Sequence, residues 1–97
     1  MIPEDREQLH LGILRWLIKK SGRQGLPASY LLAAAKSEAW PDLTVDELHG
    51  ELEYLADPSN GYARGLIVCS LKMSPAASYW KLTAGGKDWA IDRNLHL

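Results

Sequence analysis

The stretch "GLIVCSLKMSPAASYWKLT", Gly65 to Thr83, decides the fold. Before it, apolar residues recur at helical spacing; within it that spacing stops. "GLIVCSLKM" reads as a strand, carried by β-branched Ile67 and Val68. "SPAA" has turn chemistry and "SYWKLT" reads as a second strand. Two short strands joined by a short turn predict a β-hairpin.

Working upstream, "TVDELHGELEYLAD", Thr44 to Asp57, predicts a helix. Thr44 followed by Glu47 spells a capping box, in which hydroxyl and carboxylate each satisfy a backbone N–H of the first turn. Val45, Leu48, Leu52 and Leu55 fall on one face at about 100° per residue. "DPSNG" then bars further helix. An earlier helix is predicted over "ASYLLAAAKSEAW", halted before Pro41, which turns Trp40 away from helical geometry. "RQGLP" ahead of it reads as a loop. The first segment, "PEDREQLHLGILRWLIKKSG", places Leu9, Ile13, Trp16 and Leu17 on one face, widened by Leu14 and Ile18. Glu4 and Asp5 suit its positive end, Lys19 and Lys20 its last turn, and Gly22 its termination. Downstream, "AGGKDWAIDRNL" predicts a short closing helix capped by Thr83, its first turn weakened by Gly85 and Gly86.

The order helix, helix, helix, strand, strand, helix predicts an α+β fold. Its parts are a three-helix helix-turn-helix core, a β-hairpin wing and a short C-terminal helix. Residues 1–97 read as one domain, with no repeat or linker. The single Cys69 excludes an internal disulfide and suits a reducing compartment. "MIPEDREQ" has no apolar signal region and no run is long enough to span a membrane. A cytoplasmic location and no membrane partner are the expectation.

The formal net charge of -1 hides a strong segregation. Residues 1–36 carry six basic and three acidic side chains, residues 37–63 seven acidic and no basic ones, and residues 64–97 five basic and two acidic. An acidic middle lies between basic ends.

"LEYLADPSNGYARGLIVCSL" followed by "SYWKLTAGGKDWA" resembles the second half of winged-helix domains. The matching residues are Leu52, Leu55, Gly65, Leu66 and Ile67, then Leu82, Thr83 and Gly86 of an aromatic-x-L-T-x-x-G closing motif. Tyr79 stands one place early and Trp80 fills the aromatic position. "EDREQLHLGILRWLIKKSG" resembles the first helix of small winged-helix proteins from Mu-like prophages of bacteria. The resemblance implies binding of double-stranded DNA in a regulatory role, with the third helix in the major groove and the wing on phosphate or minor groove.

The residues resist part of that implication. With its leucines turned inward, the third helix presents Asp46, Gly50, Glu53 and Asp57, with Glu47 and Tyr54 beside them. Such a face repels phosphate. Asp46, Glu47, Glu53 and Tyr54 are therefore candidates for binding a protein partner, or simply a solvated surface. DNA binding led by the wing is the first expectation, where Arg64, Lys72 and Lys81 carry charge and Ser74 and Ser78 offer hydroxyls, with His49 of the third helix a further candidate and protein binding the alternative. A second basic patch, Arg15, Lys19, Lys20 and Arg23, runs along the first helix. The segregation also permits self-association, an acidic helix of one copy meeting the basic helix of another in a homodimer or chain. Trp40 and Trp89 are candidate aromatic anchors or simply core residues, and Trp16 and one of Trp80 or Trp89 are expected in the core.

An enzyme is not expected. His10, His49 and His96 lie far apart, none has metal-ligand spacing with Cys69, and Gly85–Gly86 lacks the rest of a phosphate loop. No metal or cofactor is implied.

Overall fold

A computed structural model describes residues 3–20, 24–59 and 65–96 of the chain. Gly22, Arg23, Arg64 and the turn residues 60–63 lie outside the described residues. Among those described, helix α1 (Pro3–Lys20) leads to strand β1 (Leu26–Pro27), helix α2 (Ala28–Glu38) and helix α3 (Val45–Ala56). Strands β2 (Ile67–Leu71) and β3 (Tyr79–Leu82) and helix α4 (Ala84–Asp92) follow. This is an α+β arrangement of four helices and a three-stranded antiparallel sheet, a layout compatible with a winged helix.

The helices end where local chemistry stops them. Glu47 N–H donates to Thr44 Oγ1 at 3.2 Å and Thr44 N–H to Glu47 Oε1 at 3.1 Å, closing the capping box of α3. At the end of α2, Ala39 N–H and Trp40 N–H both reach the Ala35 carbonyl, at 3.1 and 3.0 Å, and Pro41 follows. The α4 cap is Thr83, whose Oγ1 accepts from Gly86 N–H at 3.0 Å.

Hairpin β2–β3 forms as expected, with Ile67 opposite Leu82 and Cys69 opposite Trp80. A register shift between Cys69 and Leu71 leaves Leu71 opposite Tyr79. The sheet order is β1-β3-β2, so "RQGLP" is not wholly loop: Leu26 and Pro27 pair with Trp80 and Tyr79. Gly25 makes this possible. It has φ +84°, and a Cβ there would stand 1.8 Å from the Trp80 carbonyl oxygen. Only a glycine lets the chain come so close to β3.

One core joins every helix to the sheet. Leu9, Ile13, Leu14 and Leu17 of α1 meet Leu31 and Ala35 of α2, and Leu48, Leu52 and Leu55 of α3. Leu66, Ile67 and Trp80 bring in the hairpin, and Ala90 the last helix. Trp16, expected inside, is only half-buried, because its ring lies over Gly12 on its own helix. Trp40 and Trp89 are likewise half-buried against the core. No helix among the described residues is long and apolar enough to cross a membrane.

Candidate interaction groove between the third helix and the hairpin

Because Leu48, Leu52 and Leu55 are drawn inward, α3 turns Asp46, Glu47, Gly50 and Glu53 to solvent, with Asp57 just past its end. Asp57 Oδ1 accepts from Ser59 N–H at 2.9 Å and from Ser59 Oγ–H at 2.7 Å, which holds its carboxyl below the usual carboxylate range. Tyr54, expected beside that acidic face, is turned instead toward α1. Its ring stacks on His10 at 5.2 Å, and the Arg6 guanidinium sits 4.3 Å from its centroid.

Glu51 explains that turn. Arg6 Nε–H lies 2.8 and 2.7 Å from the two Glu51 oxygens, and His10 Nε2 lies 2.9 Å from Oε2. His10 is 1% exposed. Burial pushes its pKa below the ordinary value, with the Glu51 carboxylate pulling the other way. A carboxylate only accepts, so the neutral imidazole carries its proton on Nε2. Glu51 and Glu53 point apart: Glu51 serves the seam with α1, whereas Glu53 is exposed and lines the groove with the hairpin.

On Glu53's side, α3 and the hairpin tip enclose a groove of ≈ 310 Å³. His49 and Glu53 form one wall; Cys69, Met73, Pro75, Ser78 and Trp80 complete it, with Lys72 at the hairpin side. His49 Nε2 lies 3.0 Å from Glu53 Oε1, one helical turn away, so this nitrogen donates. The His49 ring meets the Trp80 indole edge-on, with centroids 6.1 Å apart. Each of these rings carries a buried nitrogen, His49 Nδ1 and Trp80 Nε1, without a hydrogen-bond partner among the described residues. Leaving such a group unpaired costs about 1–3 kcal/mol. Of the hairpin's exposed apolar side chains, Met73 lines the groove, whereas Val68 and Leu71, opposite Lys81 and Tyr79, lie on the other face of the sheet.

Ser78 cannot serve as an outward donor. It is 2% exposed, and its hydroxyl is used inside the hairpin tip. Oγ donates to the Ser74 carbonyl at 3.0 Å and accepts from Met73 N–H at 2.8 Å. Lys72 and Ser74 are exposed, Lys81 is half-buried, and His49 is tied to Glu53. Lys72 shares the groove with Glu53, whereas Lys81 lies on the face of β3 opposite Trp80. Arg15 and Lys19 are about 140° and 180° around α1 from His10, the residue that marks the side touching α3. Exposed Lys20 closes the same helix. Lys72 and Lys81 therefore lie on different sides of the hairpin, and Arg15 and Lys19 on the side of α1 away from α3.

Sequence reasoning missed the Arg6–His10–Glu51 cluster and the unpaired atoms of the groove. Glu51 gave one signal, as a carboxylate next to the leucine stripe of α3. Among the described residues no group of three or more His, Cys, Asp or Glu side chains is placed to hold a metal ion. No family model, curated protein or solved structure matches this chain.

Proposed function

We propose that this chain is a winged-helix protein that binds another protein through α3 and the hairpin, in a regulatory rather than catalytic role. One observation carries the reading: the exposed carboxylates of α3 adjoin a groove lined by Cys69, Met73, Pro75 and Trp80, while Lys72 lines that groove and Lys81 faces away from it. A carboxylate face repels a phosphate backbone and attracts a basic protein segment. The apolar side chains of the groove supply area to be removed from water on contact. The resemblance of α1 to prophage proteins suggests phage or host regulation as the setting.

Wing-led binding of duplex DNA is the second reading. Lys72 and Ser74, exposed together at the hairpin tip, favour it.

Fluorescence anisotropy at low salt separates the two, using a labelled Lys/Leu amphipathic peptide and a labelled mixed-sequence duplex. The protein-binding reading expects peptide binding, weakened about tenfold when Asp46→Lys and Glu53→Lys are combined. Duplex binding that is lost on Lys72→Glu and insensitive to the α3 reversals would overturn it.

A further inference from the structure

We infer that the groove between α3 and the hairpin recognises a primary carboxamide, the side chain of an Asn or Gln on the partner segment; this rests on the protein-binding reading above. His49 Nδ1 and Trp80 Nε1 are buried, have no hydrogen-bond partner and belong to residues lining the same groove. Trp80 is 4% exposed, so water does not reach it freely. The indole N–H is a donor only. Because His49 Nε2 faces the Glu53 carboxylate at 3.0 Å, the neutral ring leaves Nδ1 as an acceptor. Both nitrogens are enclosed behind the groove's surface, so a ligand pairs with them only once a lining side chain gives way; together they are one donor and one acceptor on rings in edge contact.

The matching ligand group must present an acceptor and a donor side by side. A primary carboxamide does so from a single carbon, its C=O toward Trp80 and its N–H toward His49. A trans main-chain peptide group sends its C=O and N–H in opposite directions. Carboxylates only accept, and ammonium and guanidinium groups only donate. A hydroxyl would have to meet both atoms from one oxygen, a poorer match to rings whose centroids are 6.1 Å apart. An adenine edge offers the right pair but brings phosphate toward Glu53 and the other exposed carboxylates of α3. Pro75, Cys69 and Met73 supply apolar walls for the methylenes of an Asn or Gln. Met73, 57% exposed and unbranched, is the lining side chain best able to give way. Glu53 favours a Lys or Arg next to the carboxamide.

A random-peptide display selection on the full chain tests this directly. Enriched peptides are expected to share an Asn or Gln beside a Lys or Arg. Binding of a selected peptide should fall at least about tenfold on changing that residue to Leu, and similarly on His49→Phe in the protein. The Trp80 indole N–H resonance should move downfield in the complex. His49 is partly exposed and the other change is in the peptide, so neither readout depends on disturbing the core. Selected peptides that bind the groove without an Asn or Gln, or that tolerate Leu or Ser in its place, would overturn the carboxamide and leave the protein-binding reading standing. No enrichment, together with binding of duplex DNA, would overturn both.

Discussion

Thr83 ties three parts of the chain together with one side chain. Its hydroxyl donates to the Gly65 carbonyl at 2.7 Å and accepts from Gly86 N–H at 3.0 Å, while its own N–H reaches the Leu66 carbonyl at 3.0 Å. Thr83→Val keeps the shape but removes the cap, and should cost about 1–2 kcal/mol in urea unfolding. Gly86 completes the same junction. A Cβ there would stand 1.8 Å from the Leu66 carbonyl oxygen, and backbone cannot swing aside. Gly86→Ala should destabilise by about 1–3 kcal/mol despite the better helix propensity of alanine. Gly50 is the opposite case: a methyl group there, on the outer face of α3, would meet no atom within 4 Å. Gly50→Ala should therefore stabilise by up to about 1 kcal/mol. A Gly86→Ala variant as stable in urea as Gly50→Ala would refute the close-packing account of Gly86.

At the scale of elements, what the sequence made legible was what local chemistry decides. The caps at Thr44 and Thr83, the leucine stripe of α3 and the Pro41 stop are each written within a few residues, and each appears where expected. Strand β1 was not legible. Two residues including a proline carry no strand signal; they pair with β3 because Gly25 admits a contact with Trp80, far along the chain. The seam between α1 and α3 was hidden for the same reason, since Arg6 and His10 lie 45 and 41 residues from Glu51. That seam makes stability depend on pH. His10 takes up a proton less readily when folded than when unfolded, because burial penalises the charged ring. Its contribution is intact above its ordinary pKa of 6.5 and is lost as pH falls from there toward the lower folded value, where the unfolded chain binds the extra proton. Urea midpoints measured from neutral to mildly acidic pH should fall with pH, and His10→Gln should flatten this part of the profile. An unchanged slope in His10→Gln would assign the dependence elsewhere.

Across the whole molecule, charge and apolar surface are distributed unequally. From the acidic middle of the chain, Asp46, Glu47 and Glu53 are exposed on α3, with Glu53 and the hairpin's Met73 lining the groove, whereas Glu51 is drawn into the seam with α1. Lys72 and Lys81 were grouped at the wing by sequence position, but Lys72 lines the groove while strand alternation turns Lys81 to the face of β3 opposite Trp80. Charge segregation was legible in the sequence; its directions in space were not. The central claim is that α3 and the hairpin form a face for protein rather than for DNA. Backbone amide NMR on labelled protein at low salt, titrated first with mixed-sequence duplex DNA and then with a Lys/Leu amphipathic peptide, tests it most directly. The account predicts shifts at Asp46, Gly50 and Glu53, the exposed face of α3, with the peptide and none with the duplex. Shifts at Lys72, Ser74 and Lys81 with the duplex, fading as salt rises, would contradict it.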